Sequence, residues 1–139
     1  MNNTNNTEEQ INSIIENNKL ALIILSGEDC KWCKKLKEHL KDGTLEHYCN
    51  INNIKLETIT MASKAEEEKD CQEHGVCKIT TRNRFGIKTI PTAILFKNKI
   101  EIAKTEYIDE VEIEGIGTQA YVNWISNILF PKKRILARA

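Results

Sequence analysis

Two cysteines in the first third of this 139-residue chain, Cys30 and Cys33, are the residues best placed to do chemistry. A Cys-x-x-Cys pair has two uses. It can cycle between dithiol and disulfide, or it can supply half of a zinc site. Lys31 and Lys34 beside the pair favour a thiolate, whereas Glu28 and Asp29 oppose one. Three further cysteines complete the set. Cys71 and Cys77, with His74 between them, fit three readings: unremarkable thiols, a second redox pair or loop disulfide, or metal ligands together with Cys30 and Cys33. The last is weakened by a spacing wider than the tight knuckle of structural zinc sites. Cys49 is expected to pack as a small hydrophobe.

The elements around the pair set its position. Leu20 to Leu25 is an apolar run without polar alternation, as expected of a strand buried on both faces of a mainly parallel sheet. Ser26-Gly27-Glu28-Asp29 breaks that run. Cys33, Leu36 and Leu40 then recur at helical spacing, with Lys34, Lys35, Lys37 and Glu38 on the opposite face. The pair therefore falls at a helix N-terminus, just past the carboxyl end of a central strand. Unpaired N–H groups and the helix dipole stabilise an anion there, and a thiolate is one. Cys30 is then the exposed nucleophile and Cys33 the recessed partner.

The rest of the chain reads as alternating helices and strands. Met1 to Asn6 is a low-complexity leader expected to be disordered, and Thr7 with Gln10 fits a capping box for a helix over Glu8 to Asn18. Leu45 to Asn50 resumes helix after Lys41-Asp42-Gly43-Thr44. Ile54 to Thr60 suits a strand parallel to the first, joined by a right-handed crossover. A helix over Ser63 to Gly75, a short one over Arg82 to Gly86, strands over Thr92 to Lys97 and Lys99 to Lys104, and a last helix over Thr118 to Phe130 follow. Asn98-Lys99 would turn the hairpin. Residues 7–130 form one domain, and 131–139 a basic tail.

Composition narrows the function classes. Lys plus Arg and Asp plus Glu each number 20, so no net field recommends nucleic acid or an anionic membrane. No apolar run approaches a membrane span, and the polar start MNNTNNTEEQ has no signal-peptide pattern. Both point to the cytoplasm, where thiols stay mostly reduced. Five cysteines argue against a complete structural disulfide framework.

The stretch Phe85-Gly86-Ile87-Lys88-Thr89-Ile90-Pro91-Thr92-Ala93-Ile94-Leu95-Phe96-Lys97-Asn98, taken with Cys30-Lys31-Trp32-Cys33, resembles the thioredoxin superfamily. The resemblance implies an α/β thioredoxin fold, a mixed sheet of four to five strands flanked by helices. It implies a cis Pro91 facing Cys30 and Cys33, and an Ile90 backbone that pairs with an extended substrate. It also implies a protein disulfide oxidoreductase without cofactor or metal, drawing electrons from a reductase or from glutathione. Trp32 would be an apolar contact on the rim or a shield for the helix start.

The chain also departs from the family. Lys31-Trp32 replaces the Gly-Pro of thioredoxins proper, the stretch from Met61 to Thr81 is longer than in a compact thioredoxin, and Thr105 to Gly117 is a long acidic connection. Ile24 stands where thioredoxins keep a buried Asp as proton acceptor. Glu57 on the neighbouring strand is the candidate stand-in, and the expected redox potential is less reducing than a thioredoxin's. The competing reading is a thioredoxin-fold binding or structural module with little redox turnover.

Overall fold

The computed structural model describes residues 3–28, 30–61, 81–106 and 118–131. Its elements are α1 (Asn3–Asn17), β1 (Leu20–Ser26), α2 (Lys31–Leu40), α3 (Thr44–Ile51), β2 (Ile54–Thr60), α4 (Thr81–Phe85), β3 (Thr92–Lys97), β4 (Ile100–Glu106) and α5 (Gln119–Leu129). The expected helix over Ser63 to Gly75, the pair Cys71 and Cys77, the acidic connection after Glu106 and the basic tail beyond Pro131 lie outside the described residues. No helix among the described residues is long and apolar enough to cross a membrane.

β1 is central because its apolar run has a use on both faces. The sheet order is β2-β1-β3-β4. β1 runs parallel to β2 from Leu20↔Ile54 to Ser26↔Thr60, and antiparallel to β3 from Leu20↔Lys97 to Leu25↔Thr92. Side chains alternate across the strand. Ala21, Ile23 and Leu25 pack with Ile11 and Ile15 of α1 and with Phe85 of α4. Leu22 and Ile24 pack on the other face with Leu36 of α2, Leu45 of α3, and Tyr121 and Ile125 of α5. Each such Leu or Ile, fully buried, contributes roughly 1.5–3 kcal/mol. The result is helix, mixed sheet, helix.

Two boundaries depart from the sequence expectation in ways that bear on the fold. α1 begins at Asn3, so residues 3–6, read as leader, are helical, and Thr7, read as a cap, is 2 % exposed inside the helix. The polar Asn-Thr run carries no apolar periodicity that would announce a helix. Ser26, read as the first loop residue, is instead the last residue of β1 and is buried. The β3–β4 turn does fall at Asn98-Lys99, both with positive φ (52° and 72°) as a two-residue hairpin turn requires. A register shift between Leu95 and Phe96 precedes it in β3, and β4 leaves Ile100 and Ile102 exposed at the sheet edge.

Asp42, in the turn between α2 and α3, clasps this side of the molecule. Its carboxylate accepts from the Thr44 N–H (2.8 Å), the Thr118 hydroxyl (2.9 Å) and the Thr118 N–H (3.3 Å). The Thr118 hydroxyl in turn accepts from the Leu45 N–H at 3.2 Å. One acid thus serves the first turns of α3 and α5 together. Partial burial works to raise the Asp42 carboxyl, but the hydrogen bonds from Thr44 and Thr118 outweigh it and hold the group below its ordinary value. An acid lowered in the folded state stabilises above its unfolded value and loses that contribution as pH falls through the folded one. Asp42→Asn should cost about 1 kcal/mol at neutral pH. In chemical unfolding followed against pH, the gap to wild type should close in acid below about pH 4, whereas a gap constant with pH would remove the charge from the account.

Candidate functional site

Cys30 is the N-cap of α2. Its backbone is extended (φ −130°, ψ 114°), and its carbonyl accepts the first helical hydrogen bond, from Lys34 N–H at 3.1 Å. The side chain fills the role usually taken by Ser or Asp: Cys30 Sγ accepts from the Cys33 N–H at 3.1 Å. The two sulfurs are joined as a disulfide, with the Cα atoms 5.1 Å apart. Cys30 is half-buried, while Cys33 is 1 % exposed beneath the first turn. The order of access expected from the sequence is therefore the order observed.

The antiparallel register of β1 and β3 brings the second half of the site into place. Leu25 at the carboxyl end of β1 lies opposite Thr92 at the start of β3, so the residues just before Thr92 meet those just after Leu25. Cys30 Sγ is 3.5 Å from the Ile90 carbonyl oxygen, to which a Cys30 thiol can donate. The Ile90–Pro91 peptide is cis. Gly27 lies against the Ile90 side chain, whose terminal Cδ1 would be 2.6 Å from a Cβ there and would have to shift aside. Thr92 braces the same loop through its hydroxyl, which donates to the Thr89 carbonyl at 2.6 Å. Cys30, Cys33, Ile90 and Pro91, far apart in sequence, share one corner of the fold.

Trp32 stands at the rim, 40 % exposed. The ammonium groups of Lys31 and Lys35 lie 5.5 and 4.7 Å from its ring centroid, within cation–π range. The first turn of α2 carries no acid.

Glu57 does not serve the cysteines. It precedes Ile59 by two and pairs with Ile23, both of which pack on the α1 face, so strand alternation places Glu57 on the side of the sheet away from α2. There it meets Lys55 at 3.7 Å and borders a cleft of about 500 Å³ between α1 and β2 that also takes in Glu9 and Ser13. Ile24 does face α2, within the apolar cluster of Leu22 and Leu36. The part of Gly27, Ser26 and Asp42 was missed in the sequence, where all three read as loop punctuation. Gly27 alone carried a usable signal, a glycine directly between a buried strand and a reactive helix start. Among the described residues no group of three or more His, Cys, Asp or Glu side chains is placed to hold a metal ion.

A strand order of β2-β1-β3-β4, a cysteine pair at the start of the helix after β1, and an Ile-Pro loop beside it leave one architecture. The chain has the thioredoxin fold. It is similar to thioredoxin f2 of Chlamydomonas reinhardtii, at 16 % identity over 91 % of this chain and 94 % of that one, with TM-score 0.54. It is similar also to the germline-specific thioredoxin Deadhead of Drosophila melanogaster, at 13 % identity over 92 % and 97 %, with TM-score 0.53. A mutant thioredoxin of Halobacterium salinarum matches at 14 % identity over 86 % and 83 %, with TM-score 0.53. No family model matches the chain, and no curated protein matches it by sequence. The likeness is one of fold, carried at low identity.

The remaining described cysteine is outside this chemistry. Cys49 in α3 is free and fully buried, and burial pushes its thiol up to about 12. Iodoacetamide applied to native reduced protein, followed by peptide mapping, should leave Cys49 unmodified until denaturant is added. Labelling of Cys49 in the native state would show that α3 is not packed as described.

Proposed function

We propose that the protein is a thiol–disulfide oxidoreductase acting on protein disulfides through Cys30 and Cys33. The observation that carries the reading is the position of Cys30 Sγ, which accepts the Cys33 N–H and lies, half-buried, beside the Ile90 carbonyl. Those N-terminal amides favour negative charge on sulfur, so the thiolate is the form the site prefers.

In the reducing direction, Cys30 as thiolate attacks one sulfur of a substrate disulfide. The other substrate sulfur leaves with the bonding electrons and takes a proton. Cys33 then gives up its proton and attacks Cys30 Sγ, releasing the second substrate thiol and closing the Cys30–Cys33 bond. The dithiol loses two electrons and two protons, and the substrate disulfide gains them. The substrate chain lies extended beside Ile90 and Pro91, held by main-chain hydrogen bonds, with Trp32 as a rim contact. A reductase or glutathione returns the electrons. The setting that suits this cycle is the cytoplasm, without a nucleic-acid or membrane partner and without a cofactor.

Wild-type protein should accelerate insulin reduction by dithiothreitol, and Cys30→Ser should reduce the rate to background. Equal rates for the two would leave only a binding role for the fold. With Ile24, in the apolar cluster on the α2 face, standing where thioredoxins keep a buried acid, the dithiol is the less reducing one. Equilibration with glutathione should give a potential above the roughly −270 mV of thioredoxin, and a value at or below it would contradict this.

A further inference from the structure

The β1 face that α2 covers ends in a polar side chain whose hydroxyl has no partner. Alternation along β1 places Leu22 and Ile24 on this face, and Ser26 continues the row. Ser26 is 2 % exposed, and its Oγ is fully buried and makes no hydrogen bond. The backbone of the same residue is held firmly, since the Ser26 carbonyl accepts from the Met61 N–H at 2.7 Å at the end of β2. A buried hydroxyl without a partner costs about 1–3 kcal/mol, so alanine would serve the fold better here.

The surroundings of that hydroxyl belong to the cysteine site. Gly27, the next residue, abuts the Ile90 side chain, and Cys30 Sγ abuts the Ile90 carbonyl. The chain thus turns over the end of β1 to start α2, which packs on this face through Leu36 and carries the buried Cys33 in its first turn. Tyr48 Oη on α3 is another buried hydroxyl without a partner on this side of the sheet, but Ser26 stands at the end of β1 from which the chain turns into α2. Three other buried polar residues are found among the described ones, and each is placed or bonded elsewhere. Thr7 sits in α1 across the sheet, Thr92 donates to the Thr89 carbonyl, and Thr118 donates to Asp42.

We propose that Ser26 Oγ donates a hydrogen bond to Cys33 Sγ once the disulfide is reduced, and that this bond stabilises the Cys33 thiolate. The inference rests on the dithiol cycle above and assigns a partner to its second step. In the disulfide, Cys33 Sγ is bonded to Cys30 and carries no charge, and Ser26 Oγ is unpaired. Reduction adds two electrons and two protons to the pair and frees Cys33 Sγ. When Cys33 loses its proton to solvent, the anion forms in an apolar setting bounded by Ile24 and Leu36. A hydroxyl hydrogen donated to that sulfur offsets the loss of hydration. The cost borne by the oxidised protein is then relieved in the reduced one.

The test uses the full-length reduced protein without substrate, so that it stands apart from whether the protein turns over any disulfide. The Cys33 Cβ chemical shift is followed against pH in wild type, Ser26→Ala and Ser26→Thr, alongside the chemical unfolding of each oxidised protein. In Ser26→Ala the thiolate fraction of Cys33 at neutral pH should fall about tenfold, as loss of one hydrogen bond to a charged group implies. Ser26→Thr should restore it. The oxidised alanine variant should be as stable as wild type or more so, an outcome a merely structural serine would not give together with a changed titration. A Cys33 titration in Ser26→Ala that overlays the wild-type curve would overturn the proposal. Absence of insulin reduction by wild type, with the Cys33 titration still shifted in Ser26→Ala, would sink the functional reading and leave this hydrogen bond standing.

Discussion

A sulfur atom caps a helix in this protein, and the rest of the structure serves that contact. The N-terminus of α2 has amide groups without helical partners, and the Cys33 N–H finds one in Cys30 Sγ. For an ordinary cap, the choice of side chain settles only helix stability. Under the proposed function the capping atom is also the nucleophile. Charge on the sulfur improves the cap, so in that proposal helix formation and nucleophile activation are the same interaction.

That contact depends on where β1 ends. Paired on both sides, β1 cannot slide by one residue without exchanging the side chains it presents to α1 with those it presents to α2, and both sets are packed. Its register with β3 then determines what faces the cysteines. With Leu25 opposite Thr92, the Ile90–Pro91 loop is brought against Gly27 and Cys30, and the absence of a Cβ on Gly27 leaves the Ile90 side chain where it lies. On the other side of the site, Asp42 joins the turn after α2 to Thr118 at the start of α5 and fixes the helices that cover this face. Strand register, a missing Cβ and one multiply bonded acid each constrain a different edge of the same corner.

Much of this was legible in the sequence because it is local. The Leu20–Leu25 run, the helical spacing of Cys33, Leu36 and Leu40, and the Ile-Pro-Thr before an apolar strand each report their own conformation within a few residues. What failed to show was whatever needed a distant partner or a choice of face. Glu57 sits in a strand whose alternation was plain, but alternation gives two faces without saying which one holds α2, and Glu57 took the other. Asp42 read as a helix breaker because its second partner, Thr118, comes much later in the chain. Ser26 read as the start of a loop because its hydroxyl is polar, although the backbone continues the strand and the side chain is buried. The early start of α1 escaped notice for a simpler reason: Asn and Thr carry no hydrophobic period, and the packing that orders them comes from Thr7, Ile11 and Ile15 further along the helix.

The central claim is that the N-terminus of α2 holds Cys30 as an anion, and the pH profile of its alkylation reads this directly. Reduced protein is treated with iodoacetamide at a series of pH values, and the rate at Cys30 is taken from the mass of its peptide. The account predicts a half-maximal rate well below the roughly 8.5 of an unperturbed cysteine. A Cys30 profile that follows the free amino acid would mean that the cap does not charge the sulfur, and the account would fail at its first step.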